Sequence, residues 1–419
     1  MVTSINWGKI VGWLCAVAVT LLGTANLWKV ETVRNLLPVD LTLASAVIAA
    51  AVTLGVWMAS RWRTKLSWLP LAFGFGTFVP ALALTSFDHP YSIEKAQALF
   101  TLSLLAAAAP MVVLTTEYRR RALLILLVGL GAVTSLALTV AGTANPHTGR
   151  VGVEDGSPVG LARVACLVIA ILGVAAFEWK GKRRLAGLGM VVLAAGSTVT
   201  TGSRGPLAFA ILAPLLVLLL TNRGVIRPAD FRHAARDPRI RTRVVVVGGV
   251  VVLAVAAFIR FAPARAIAHL LSLGGESSSL RMLLLTESTA TATQHPLGVG
   301  WGDIAEYLSI AARKYTIGDN VYPHNVLVEA AAEGGVIALA GLVYLLVISW
   351  RRLHACATTL TGRALLSVWI FAVASAMISS DLIGNRLMWM MIGVGLAYPP
   401  LRRSQRAGRS RRLLDAEAT

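Results

Sequence analysis

Charged side chains are scarce in this chain of 419 residues: 14% of the total, against 56% hydrophobic. So few could not cover the surface of a soluble domain this long, which excludes a water-soluble enzyme. Cysteine is scarcer still. Cys15, Cys166 and Cys356 stand alone, in or near apolar runs, which leaves no disulfide framework and no cysteine-based metal site. Acidic residues number 20 against 39 Lys and Arg. No Asp-x-Asp pair occurs in any segment that the topology below puts outside, so chemistry that needs such a pair to hold a metal is excluded.

Long apolar runs are abundant. Twelve of them, at roughly 10–27, 41–59, 67–87, 97–115, 122–142, 160–178, 185–200, 206–221, 244–261, 325–349, 364–380 and 385–401, have the length and composition of bilayer-spanning helices. The fold expected is therefore an all-α integral membrane protein of about 12 transmembrane helices, a single polytopic domain. With the N-terminus inside, 27 of the 39 basic residues fall on the cytoplasmic side, while 14 of the 20 acidic residues fall outside. That asymmetry puts both termini in the cytoplasm. The first run ends in Gly23-Thr24-Ala25, which could pass for a cleavage site. The run is long for a signal peptide and is read as the first span.

The formal net charge of +19 invites a nucleic-acid partner. The charge sits in short cytoplasmic loops, however, where it sets topology and meets anionic membrane lipid; no nucleic-acid partner is expected. Three connections are long: 143–159 outside, 222–243 inside, and 262–323 outside, the largest segment between spans. In the last, "RAIAHLL" has helical spacing, "ESSSLRMLLLTESTATATQHP" reads as a helix with a serine N-cap and a proline stop, and "GVGWGD" reads as a glycine turn.

Arginines on the outer face have no topological reason to be there. Arg204 lies in the tight turn "TTGSRGPLAF". Arg281 lies among leucines on the loop helix. Arg150 lies in "HTGRVGVEDGSP", within reach of Glu154 or Asp155. Arg386 lies in "SDLIGNRLMWM", with Asp381 near it as a structural ion-pair partner. His324, in "YPHNVLVEAAAEGG", precedes a span. Pro323 biases Tyr322 to extended geometry, and Asn325 is a plausible N-cap that would hold the imidazole at the mouth of the bundle. Histidine is suited to taking a proton near neutral pH. Glu329 and Glu333 are four residues apart, share one face of the span, and could orient His324 or bind an arginine.

A histidine base and several arginines suit one reaction: transfer of a sugar from a lipid-linked diphosphate to an acceptor hydroxyl. Arginines could take the place of a metal, and no cofactor is called for.

The chain resembles the O-antigen ligase and polymerase-like membrane proteins. Four blocks carry the resemblance: "TGSRGPLAFAILAPLLVLLL", "LRMLLLTESTATATQHPLGVGWGD", "PHNVLVEAAAEGGVIALAGLVYLL" and, more loosely, "GRVGVEDGSPVGLAR". The last departs from the family's Asn-Pro-Asn-like element, reading "GSPVG". The resemblance covers about 150–350. It implies a metal-independent, multi-span GT-C-like glycosyltransferase whose donor is an undecaprenyl-diphosphate-linked glycan. The acceptor would be a hydroxyl on a glycan, lipid or protein. Carried over, it makes His324 the base and Arg204, Arg281 and, less firmly, Arg150 the diphosphate binders. A twelve-span secondary transporter is the rival reading, as is a transporter or flippase of lipid-linked glycan. The loops "SRWRTK" and "KGKRR" lack the pattern expected of the major facilitator type.

Overall fold

The computed structural model describes residues 7–28, 30–31, 35, 39–60, 68–145, 150–154, 156–221, 276–314 and 320–398. These residues form helices almost throughout. In chain order they are α1 (Trp7–Thr24), α2 (Leu41–Ala59), α3 (Leu69–Gly76), α4 (Pro90–Val113), α5 (Glu117–Val140), α6 (Pro158–Glu178), α7 (Gly181–Thr200), α8 (Arg204–Thr221), α9 (Glu276–Gln294), α10 (Ile310–Lys314), α11 (Val326–Cys356), α12 (Leu360–Ala376) and α13 (Arg386–Leu396). One antiparallel ribbon, Thr143–Ala144 with Val151–Gly152, interrupts the α-only pattern in the connection before α6.

Local sequence explains where the helices begin. Asp40 accepts from Thr42 N at 2.7 Å and caps α2. Ser157 accepts from Gly160 N, with Pro158 opening α6, and Thr359 accepts from Gly362 N to cap α12. Each cap satisfies an amide that a helix start would otherwise leave open.

Among the described residues seven helices are long and apolar enough to cross a membrane: α1 (which extends through Leu27), α2, α4, α5, α6, α8 and α11. Shorter apolar helices lie at 69–83, in α12 and in α13. The third expected span is broken: α3 stops at Gly76, and a 3-10 turn, Pro80–Ala83, follows. The seventh run lies in α7, opened by Lys182, Arg183 and Arg184. The ninth, 244–261, lies outside the described residues, as does the "RAIAHLL" stretch.

The buried centre is α6, packed against α5, α7, α8 and α12. Close approach there depends on small residues. A Cβ on Gly131 of α5 would meet the Val164 carbonyl oxygen of α6 at 2.7 Å. By contrast α2 presents Leu43, Val47, Ile48, Leu54 and Met58 outward, an apolar face suited to lipid.

Candidate functional site

The site begins with a break in α11. Gly335 has φ 74° and ψ −177°, a conformation open in practice only to glycine. The break frees the carbonyls of Ala332 and Glu333, and the glycine turn uses them: Val299 N and Gly300 N donate to them, both at 3.0 Å. Val336 N returns the favour to the Pro296 carbonyl at 2.9 Å. Gly298, Gly300 and Gly302 all have positive φ. Side chains would block the approach, since a Cβ on Gly298 would collide with the Glu333 carbonyl. Trp301 is buried beneath the turn, its indole donating to the Phe78 carbonyl at 3.1 Å. Asp303 accepts from Ser92 Oγ and, at 2.6 Å, from Ser86 N. The "GVGWGD" turn is therefore seated on α11 and on the start of α4. Its other end leads back into α9, whose described part already includes Ser277–Ser279; these serines lie inside the helix rather than capping it.

His324 stands at the start of α11. Asn325 caps that helix as expected, accepting from Leu327 N at 3.0 Å and Val328 N at 3.2 Å. His324 itself has φ 57°, the left-handed region that a non-glycine residue occupies at a cost of about 1–3 kcal/mol. The Tyr322 ring meets the imidazole edge-on, centroids 4.6 Å apart. Nδ1 is buried and has no hydrogen-bond partner. Burial, and next the Arg281 charge, pushes the imidazole down to about 4. His324 is therefore uncharged at neutral pH.

Three of the sequence-selected arginines lie close enough for their charges to act on one another, and one of them, Arg281, also acts on His324. Arg150 Nε donates to the Thr201 carbonyl at 3.1 Å, which lays its side chain against the turn that precedes Arg204. In that turn Gly202 has φ 67°, and a Cβ there would lie 3.4 Å from Arg150 Nε. Burial lowers the Arg150 guanidinium from its ordinary value, and the charges of Arg281 and Arg204 lower it further. Arg204 is the first residue of α8, so the positive end of that helix adds to the same field. Arg386 is separate. Its strongest charged neighbours are Asp40, Asp381 and Glu94, and its Nε and Nη1 are buried without partners. The expected ion pair with Asp381 does not form. Asp381 accepts instead from Tyr91 Oη at 3.1 Å and Gly384 N at 2.8 Å.

The glutamates do something that the sequence reading did not anticipate. Neither binds an arginine nor orients His324. Both grip Lys95 of α4: Nζ lies 2.7 Å from Glu329 Oε1 and 2.7 Å from Glu333 Oε2, with all three side chains fully buried. Arg163 was missed as well. It is buried in α6, and its Nη2 donates to the Ser375 carbonyl at 2.7 Å and the Ser379 carbonyl at 2.8 Å. Lys95 was visible as a basic residue in a segment assigned to the outer side and Arg163 as one within the sixth apolar run, and the charge rule accounts for neither.

The arrangement couples an uncharged imidazole, one ring nitrogen without a partner, to a concentrated positive charge. It can bind a multivalent anion next to a group able to take a proton. Among the described residues no three His, Cys, Asp or Glu gather as a metal site would need.

Residues 189–343 match the family model described as O-antigen ligase. The resemblance to O-antigen ligase and polymerase-like membrane proteins therefore holds over the stretch that carries Arg204, Arg281, His324, Asn325, Glu329 and Glu333. Arg150, Lys95, Arg163 and Arg386 lie outside it. No curated protein and no solved structure matches the chain.

Proposed function

We propose that this protein is a membrane glycosyltransferase of the O-antigen ligase or polymerase type. It moves a glycan from an undecaprenyl-diphosphate carrier to an acceptor hydroxyl at the outer face of the cytoplasmic membrane. The observation that carries this reading is the cluster of Arg150, Arg204 and Arg281, with Arg281 also acting on an uncharged His324 whose Nδ1 has no partner. In the reaction the acceptor oxygen bonds to the anomeric carbon as the bond from that carbon to the diphosphate oxygen breaks. The electron pair leaves with the diphosphate, where the arginines stabilise it without a metal. The acceptor proton passes to His324, and attack opposite the leaving group inverts the anomeric centre.

The low basicity of His324 fits this scheme. A bound diphosphate offsets the Arg281 charge, so the imidazole becomes a better base when the donor is present. Segment 262–323 is the large outer loop of this proposal, with α9 lying near the membrane surface.

The test is made in cells, comparing wild type, His324→Ala and Arg204→Lys at matched protein levels. Build-up of lipid-linked glycan with loss or shortening of the surface polymer supports transfer. Normal polymer from both variants sinks the assignment and leaves transport of lipid-linked glycan as the better reading.

A further inference from the structure

The base and the diphosphate-binding Arg281 belong to different pieces of chain. His324 opens α11, and Arg281 is carried by α9. Their separation is set where the turn after α9 meets α11, and Lys95 stands at that meeting. Glu333 holds Lys95 Nζ at 2.7 Å with both oxygens, and its Oε2 also accepts from Gly302 N at 2.9 Å, joining α4 to the glycine turn. Glu329 lies one turn after the Asn325 cap; its Oε1 takes Lys95 Nζ at 2.7 Å and the Leu382 amide at 2.9 Å. Ser86, before α4, and Ser92, in its first turn, hold Asp303 at the far side of the turn. One ammonium thus ties together α4, the first turns of α11, the turn that leads from α9, and the segment before α13.

We propose that Lys95 is a positioning residue for glycosyl transfer: by bridging Glu329 and Glu333 it sets the distance between His324 and Arg281. This rests on the transferase reading above. Lys95 touches neither donor nor acceptor. A bare structural anchor could be satisfied by apolar packing. Two carboxylates on one buried ammonium instead fix direction as well as contact, because each hydrogen bond constrains an angle. Isolated buried charge is costly, so the bridge closes in one arrangement rather than several.

Removing Lys95 alone would strand two buried carboxylates and could unfold the chain. The informative variant is therefore Lys95→Met with Glu329→Gln and Glu333→Gln, which leaves no buried carboxylate without its cation and keeps an amide oxygen for Leu382 N and for Gly302 N. Full-length protein is solubilised, and its melting midpoint and affinity for farnesyl diphosphate are measured. The same variant is assayed in cells for lipid-linked glycan and surface polymer, beside His324→Ala. The expected result is folding and farnesyl diphosphate affinity within about threefold of wild type, with transfer reduced about 100-fold, the penalty for a misplacement near 1 Å. Normal transfer would overturn the proposal, leaving Lys95 as a charge balance only. A parallel fall in melting midpoint, diphosphate affinity and transfer would also overturn it, since that is the mark of a residue that merely holds the fold. Normal transfer by His324→Ala would remove the base assignment itself, whatever the Lys95 variant does.

Discussion

Gly335 and Leu297 meet backbone to backbone. The break in α11 at Gly335 is the seat into which the chain at Leu297 is laid, and a Cβ on Gly335 would collide with the Leu297 carbonyl group. Replacement by alanine adds that collision to a backbone conformation that L-residues avoid. Gly335→Ala should therefore lower stability by about 3 kcal/mol or more. In detergent the melting midpoint drops, and transfer in cells fails with it. A melting curve and an activity both unchanged would mean that the turn is not seated this way.

The Glu-Gly-Gly run and the Pro-x-Gly-x-Gly turn were each visible in the sequence, yet their mating was not. Glycine marks a backbone need without naming the partner, and Leu297 and Gly335 are far apart in the chain. The helices were legible for a simpler reason: bilayer-length apolar runs satisfy their own backbone, so composition alone marks them. Where a span is broken, as between Gly76 and Pro80, hydropathy cannot tell, because the run stays apolar through the break. Asn325 could be read because capping is local. Lys95 could not be paired with Glu329 and Glu333 because nothing in "SIEKAQALF" points to a partner across the bundle; only its unexplained place among the outer-face cations gave a hint.

The cap at Asn325 leads to a second prediction. Its side chain holds Leu327 N and Val328 N, and the adjoining residue is the strained His324. Asn325→Ala should cost about 1 kcal/mol, a typical loss for a cap, so the protein still folds. With the cap gone His324 can relax to an ordinary backbone conformation, and transfer should fall at least about tenfold, the equivalent of 1.4 kcal/mol in the barrier. Asn325→Asp, which still caps, should retain most of the activity. Equal loss in both variants would mean that the amide is needed for something other than capping.

Arg204 offers a third test, of anion binding itself. It stands at the N-terminus of α8, with Arg150 laid against the preceding turn. Lysine keeps the charge but loses the planar fork that grips two oxygens at once. Arg204→Lys should weaken farnesyl diphosphate binding by about twentyfold, within the roughly 1.5–3 kcal/mol of a lost charge-assisted hydrogen bond. Added salt should weaken binding in wild type as well, because the attraction is largely Coulombic. Binding that is indifferent to both changes would place the diphosphate elsewhere.

The last prediction concerns pH. Burial and the Arg281 charge hold His324 at about 4 in the folded protein, below the ordinary histidine value near 6.5. Between those two values the unfolded chain binds the proton more readily than the folded one, so this group's contribution to stability is fully present above about pH 6.5. It is lost progressively as the pH falls from there to about 4. On the proposed mechanism the same value sets the activity, since only the uncharged imidazole can accept the acceptor proton. In the donor-free enzyme the acid limb of kcat/KM should lie near pH 4, well below that of an exposed histidine. Arg281→Gln removes the second largest cause of the depression and should move that limb upward, even though binding weakens. Histidine titration by NMR, comparing wild type with Arg281→Gln and assigning the signal with His324→Ala, measures the shift without needing turnover. A His324 that titrates near 6.5 in the wild type would contradict its burial beside Arg281. One that stays near 4 after the substitution would mean that desolvation, with the Arg163 charge, sets it, and that a donor bound at Arg281 has no charge there to offset.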